Sequence, residues 1–177
     1  MANAKHFLIT GIVLGSIALV SGALIGVANL VTRDRIDQNE KSEINKGITS
    51  IFGSNAKIKE SKPIGEVTSK QYEYVETVYF VTNQEDNLLG YGFRSTGSNM
   101  YGKISLISGF KYDAAFIGVY LVTNEQTYAS TLVDNYVTPL NDGSRNLDDV
   151  KCGATYGAKL VQSLVDESKV ALGDMGV

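Results

Sequence analysis

The chain opens with a long apolar run that extends from Phe7 to Val31 and carries no charged side chain. As a helix this run would be about 37 Å long at about 1.5 Å per residue, which exceeds the roughly 30 Å hydrocarbon core of a bilayer. The pattern therefore predicts a membrane-spanning anchor. The alternative is a cleaved signal peptide, but the run is longer than a typical signal-peptide apolar region and no clear small-x-small cleavage site follows it.

Isoleucines then recur at near-helical spacing among charged residues, from Ile36 to Ile51. This periodicity predicts an amphipathic helical stalk that ends near Gly53, where turn-forming residues begin. Length leaves room for one modest domain after the stalk. The predicted boundaries are residues 1–31 for a cytoplasmic N-terminus and transmembrane anchor, 32–60 for the stalk, and 61–177 for the folded domain.

The pattern changes in the second half, where four runs are rich in β-branched and aromatic residues. They are residues 71–83, 88–95, 104–110 and 116–123. Such runs are typical of strands, and the short connection at Lys111–Ala114 predicts a hairpin between the last two. From Ala158 onward, apolar residues follow a helical period, which predicts a C-terminal helix on the sheet. The fold class is therefore α+β, with one antiparallel sheet.

Composition narrows the chemistry that this domain could perform. The net charge is -3 and no basic stripe is present, which excludes nucleic acid as a partner. His6 and Cys152 are the only histidine and the only cysteine. Zinc centres and cysteine-held iron–sulfur clusters need more such side chains, and a Ser-His-Asp system would need His6, which is not in the folded part. Any redox chemistry would therefore depend on a bound organic cofactor.

The stretch Asp149–Gly157 joins a polar loop to the predicted last helix and places Thr155 where that helix begins. A helix N-terminus offers free backbone N–H groups and a positive dipole end, which favour a phosphate. The small residues Gly153 and Ala154 would let a bulky group approach the backbone. The competing interpretation is that Thr155 only caps the helix, a common role for threonine.

Asp149, Cys152, Gly153, Ala154 and Thr155 resemble the flavinylation motif D-x-x-(S/T)-G-A-T of the FMN-binding domain family. This family includes the G subunit of the Rnf electron-transport complex and the C subunit of the sodium-translocating NADH:quinone oxidoreductase. The resemblance implies that Thr155 carries FMN in a phosphoester bond, installed from FAD by a flavin transferase that recognises Asp149. Cys152 departs from the pattern, because the family has Ser or Thr there.

Other segments resemble the same family in the same order. Asn29–Thr32 followed by Arg35-Ile36 is similar to its membrane exit, and Gly90-Tyr91, Tyr101-Gly102 and Gly118 are similar to its sheet signature. A family segment E-T-P-G-L-G, placed near the flavin, corresponds here to Gln126–Ser130, in which Thr127 is retained. The implied cofactor-binding residues around Thr155 are Cys152, Gly153, Ala154, Tyr156 and Thr127.

Several tyrosines could stack on a flavin ring, although strand tyrosines usually pack within a sheet. The candidates are Tyr91, Tyr101, Tyr128 and Tyr156, and Tyr156 is favoured because it adjoins Thr155. Lys151 and Lys159 are close enough in sequence to screen a phosphate, or are simply solvated surface residues.

The resemblance implies a membrane-anchored, non-catalytic electron-transfer subunit with covalent FMN, partnered by the other membrane subunits of an Rnf-like ion-translocating complex. In the family the flavin domain lies outside the cytoplasm, whereas the basic residues after the apolar run favour a cytoplasmic domain by the positive-inside rule. Two alternatives are a stand-alone extracytoplasmic flavinylated carrier and an unflavinylated membrane-tethered interaction module.

Overall fold

The computed structural model describes the backbone of residues 2–176 and the side chains of residues 6–27 and 38–176. Two compact units are present, Met1–Ser42 and Glu43–Val177. Helix α1 runs from Ala2 to Phe52. It ends where the sequence predicts, because Gly53 adopts a left-handed φ of +97° that terminates the helix.

The first unit is helical over the residues that the structure describes. Its segment His6–Val27 has a mean hydropathy of 2.3, and all of its residues are exposed. By length and composition this segment suggests single-pass membrane anchoring. The last residues of the predicted span, 28–31, and the residues resembling the membrane exit, Asn29–Thr32 and Arg35-Ile36, lie outside the described side chains.

The second unit is built on a five-stranded antiparallel sheet in the simple order β1-β2-β3-β4-β5. The strands are β1 Lys57–Pro63, β2 Val75–Thr82, β3 Leu88–Asn99, β4 Gly102–Lys111 and β5 Phe116–Asn124. The predicted pairings of β2 with β3 and of β4 with β5 are confirmed. The predicted α+β class with an antiparallel sheet and a C-terminal helix is also confirmed.

Two local predictions need correction. Strand β1 begins inside the predicted stalk range of 32–60 and extends to Pro63. It had no strand prediction, because its sequence KIKESKP is charged and lacks alternation. Such composition protects an edge strand against pairing with other chains. Strand β2 begins only at Val75, not at Gln71, because the N–H groups of Glu73 and Tyr74 donate to the carboxylate of Glu167 instead of to a neighbouring strand.

Short helices connect the sheet to the C-terminal helix. Helix α2 (Ile64–Thr68) follows β1, and after β5 come helix α3 (Ala129–Leu132), a π-helical turn (Val133–Val137) and helix α4 (Thr138–Asn141). Helix α5 runs from Thr155 to Asp174. The sequence predicts the C-terminal helix but not α2, α3, the π-helical turn or α4.

Apolar side chains cover both faces of the sheet. On one face, Phe93, Leu106 and Phe110 pack with α5 and the α3–α4 segment. On the other face, Ile48 and the end of α1 pack against Tyr79, Val81 and Ile107. Glycine makes the close approach of α1 possible, since a Cβ on Gly92 would stand 2.8 Å from Ile48 Cδ1. The site described below lies at the end of the sheet where β3 turns into β4.

Candidate functional site

A cavity of about 260 Å³ opens at the N-terminus of α5. Its wall combines three separate parts of the chain: the β3–β4 turn, the segment after β5, and the start of α5. The lining residues are Tyr101, Gln126, Tyr128, Leu132, Gly153, Ala154, Thr155, Tyr156 and Gly157. The volume is slightly below the roughly 300–1,000 Å³ of typical small-molecule sites.

Thr155 is the first residue of α5, as the sequence predicts. The competing interpretation, in which Thr155 caps this helix, is wrong, because Ala154 holds the N-cap position. No side chain accepts a capping hydrogen bond there. The Thr155 hydroxyl makes no hydrogen bond within the described part of the chain and is half-buried in the cavity wall. A free hydroxyl therefore stands beside the unpaired N–H groups of the first helical turn.

Gly153 and Ala154 shape the approach to this hydroxyl. Gly153 has a φ of +86°, a conformation that glycine adopts without the steric cost of a Cβ. Ala154 is 7% exposed and packs in the core. These constraints give a physical reason for a Gly-Ala pair directly before the threonine.

Hydrogen bonds hold the loop that carries these residues. Arg145 Nη1 donates to the carbonyl oxygen of Asp149 at 2.7 Å, and its guanidinium lies 3.3 Å from the Asp149 carboxylate. Asn135 Nδ2 donates to the carbonyl oxygen of Cys152 at 3.1 Å. Tyr136 donates its hydroxyl to the carbonyl oxygen of Leu147, and burial raises the pKa of Tyr136 above its usual range. The loop is thus fixed at several points before Thr155.

Three tyrosines form an aromatic cluster in the wall of the cavity. The ring centroid of Tyr101 lies 5.3 Å from that of Tyr156 and 6.0 Å from that of Tyr128. Tyr128 and Tyr156 are more than half exposed, so both rings are accessible from solvent. Tyr91, in contrast, packs edge-on against Phe80 in the core and does not line the cavity.

The remaining predicted site residues lie outside the cavity lining. The Cys152 side chain is 8% exposed and packs in the core, so a Cys in place of Ser or Thr leaves the cavity wall unchanged. Thr127 is exposed, and both its N–H and its hydroxyl donate to the carbonyl oxygen of Tyr101. Asp149, Lys151 and Lys159 are exposed on the surface. The predicted roles of these residues stay predictions.

Sequence reasoning missed Gln126, Leu132 and Gly157 as parts of the cavity. Gln126 lies in the segment where this chain departs from the family pattern, yet the fold brings it next to the start of α5. Its side chain is polar but only 6% exposed. The resemblance aligns Gln126 with the first residue of the family segment placed near the flavin, which was the available signal, but its burial follows from the turn after β5.

Fold and site together define a class: a protein with one helix that can span a membrane and an α+β domain whose cavity presents a threonine at a helix N-terminus. Residues 1–51 match the model of the RnfG N-terminal region. This match confirms, for the N-terminal region, the resemblance to the RnfG family. It does not extend to the cavity. A search among curated proteins found no match to the chain.

Proposed function

We propose that this protein is a membrane-anchored electron carrier whose FMN is esterified to Thr155. One observation carries the proposal: the free Thr155 hydroxyl lies at the first residue of α5, in the wall of a cavity lined by three tyrosines. The motif residues lie beside it: Gly153 has a left-handed φ, and Ala154 is buried in the core. The match of residues 1–51 to the RnfG N-terminal region supports an Rnf-like complex as the setting.

The Thr155 hydroxyl is the nucleophile in this proposal. Its oxygen forms a bond to the phosphorus on the flavin side of FAD, the pyrophosphate bond breaks, and AMP leaves while the hydroxyl proton is released. The unpaired N–H groups of Tyr156 and Gly157 would hold the phosphate, which also benefits from the positive end of the α5 dipole. Lys151 and Lys159 add positive charge nearby in sequence. When bound, FMN accepts and passes on electrons.

The tyrosine cluster would position the ring. Tyr101 is central, because it contacts both Tyr128 and Tyr156. Aromatic pairs prefer offset or tilted arrangements, and each is worth about 0.5–1.5 kcal/mol beyond area burial. A cavity that opens to solvent leaves one edge of a bound ring accessible, as an electron carrier requires for exchange with a donor and an acceptor.

Intact mass and in-gel flavin fluorescence test the proposal on the full chain co-expressed with a flavin transferase in the compartment where that enzyme works. We expect wild type to gain one FMN less water. Thr155→Val keeps the shape of the side chain but removes the hydroxyl, and we expect no gain. Thr138→Val is the matched control, because Thr138 is likewise the first residue of a helix, the short helix α4, but does not line the cavity. An unmodified wild type, or a modified Thr155→Val, would overturn the proposal.

We also propose that the domain lies outside the cytoplasm. The family resemblance supports this side of the membrane. Cys152 is buried and is the only cysteine, so a Cys152→Ser background with Ser144→Cys gives one exposed thiol. A membrane-impermeant maleimide should label it in intact cells. Labelling only after lysis would place the domain in the cytoplasm instead.

A further inference from the structure

The side-chain amide of Asn99, at the end of β3, connects all three parts of the cavity wall. Asn99 Oδ1 accepts from the N–H of Tyr101 at 2.8 Å and from Gln126 Nε2 at 3.2 Å. Asn99 Nδ2 donates to the carbonyl oxygen of Tyr156 at 3.0 Å. One amide thus ties the β3–β4 turn, the segment after β5 and the first turn of α5.

Main-chain groups fix the orientation of both amides. A backbone N–H only donates, so the Asn99 atom facing Tyr101 must be its oxygen, and the atom facing the Tyr156 carbonyl must be its nitrogen. Gln126 Nε2 donates to Asn99 Oδ1 and also to the carbonyl oxygen of Gly102. Both hydrogens of the Gln126 amide are therefore used, and neither amide can be flipped without losing hydrogen bonds.

This arrangement leaves Gln126 Oε1 as the free group of a side chain that is 6% exposed. Oε1 lies beside Gly157, where it would be 3.3 Å from a Cβ added to that glycine. Gln126 and Gly157 both line the cavity. Oε1 accepts no hydrogen bond within the described part of the chain, and it keeps some solvent-accessible area in a residue that lines the cavity.

We infer that Gln126 Oε1 is the hydrogen-bond acceptor for an N–H donor on the ring of a ligand in this cavity, and that Asn99 is the positioning residue that fixes it. An isoalloxazine carries such a donor in its imide N–H, so the inference rests on the proposed function and deepens it. An acceptor held in place selects for rings with this donor, because a buried acceptor left unpaired costs free energy.

Reversible binding of riboflavin and of 3-methylriboflavin to the unflavinylated full chain in detergent tests this inference. The methyl group removes the imide N–H, and neither probe has a phosphate, so the measurement is independent of esterification at Thr155. We expect wild type to bind riboflavin about threefold to tenfold more tightly, the effect of one neutral hydrogen bond. Quenching of flavin fluorescence gives both dissociation constants.

Gln126→Met has a similar length but no acceptor, and we expect it to lose the preference. Asn99→Ala should weaken the preference while leaving Gln126 in the chain. The matched control is Asn141→Ala, because Asn141 also bridges backbone groups, accepting from Val119 N–H and donating to its carbonyl oxygen at 2.8 Å, but lies outside the cavity. It should keep the wild-type preference. Near-UV circular dichroism of the tyrosines shows whether each variant is folded.

Equal binding of the two probes by wild type, or no binding of either, would overturn the inference without relying on any variant. A preference that persists in folded Gln126→Met would also overturn it, since the methyl group would then act by size alone. The proposed function fails by a different result. If the chain prefers riboflavin over 3-methylriboflavin but is never flavinylated at Thr155, the covalent carrier is rejected and the role of Gln126 Oε1 as acceptor stands.

Discussion

Replacing Gly153 with alanine tests whether the loop conformation before Thr155 matters for the site. The φ of +86° at Gly153 would cost a residue with a Cβ about 1–2 kcal/mol. The new Cβ would also stand 3.2 Å from Thr131 Cγ2, so that this methyl group must shift by a few tenths of an ångström. We therefore expect Gly153→Ala to lose at least about 1–2 kcal/mol and to displace the loop that carries Thr155.

Gly143→Ala is the matched control. Gly143 has a similar φ of +79°, and a Cβ there would have no described atom within 4 Å. Gly143→Ala should therefore lose only the free energy of placing a residue with a Cβ at a left-handed φ. At about 2–4 °C per kcal/mol, both variants should lower the melting temperature by about 2–8 °C, with Gly153→Ala more affected. Only Gly153→Ala should also reduce flavin attachment.

Thermal unfolding followed by near-UV circular dichroism suits this comparison, because all 10 tyrosines lie in the unit Glu43–Val177. Intact mass measured in parallel gives the flavinylated fraction. Equal loss of stability together with full flavinylation of both variants would refute the reasoning, since Gly153 would then be an ordinary loop glycine. An unchanged melting temperature for Gly153→Ala would contradict the left-handed conformation itself.

Three further perturbations test contacts of the second unit away from the site. Glu167→Gln removes a carboxylate that accepts three N–H groups before and at the start of β2, with distances of 2.7, 2.7 and 3.2 Å, and should cost about 1.5–3 kcal/mol in urea unfolding. Hydrogen bonds from Lys70 and then from Tyr72 hold the pKa of Asp174 below its usual value. The Asp174 carboxylate stabilises the folded state above its unfolded pKa near 3.8, and this stabilisation is lost as pH falls through the lower folded pKa. The free energy of unfolding of Asp174→Asn should therefore decrease less steeply than that of wild type as the pH falls through this range. Gly109→Ala should cost about 1–3 kcal/mol, because its Cβ would overlap with Ile51 and lie 3.2 Å from Phe52 Cε2.

One control variant and one double variant accompany these perturbations. Asp166→Asn breaks only an exposed ion pair with Lys169 at 3.6 Å, so its stability should change by less than about 1 kcal/mol. An equally steep decrease for Asp174→Asn and wild type would contradict a lowered pKa for this carboxyl group. Ile51→Ala should make room for the new methyl group of Gly109→Ala, and strictly additive losses in the double variant would show that the two sites do not touch.

Local patterns in the sequence determined most of the secondary structure. The apolar run, the helical spacing that ends near Gly53, four of the five strands and the C-terminal helix each depend on side-chain periodicity over a short stretch. The start of α5 at Thr155 follows in the same way. The motif around Thr155 is also local, because the left-handed glycine and the small alanine act within a few residues.

Only the tertiary structure decided what faces Thr155. The cavity is lined by the β3–β4 turn, the segment after β5 and the start of α5. No local sequence pattern predicts that these three segments lie next to one another. Strand β1 was missed for a related reason, since its charged sequence becomes a strand only by pairing with β2. The orientation of Gln126 depends on acceptors at Asn99 and Gly102, which are distant in sequence, because hydrogen bonds between separate segments exist only once the sheet has formed.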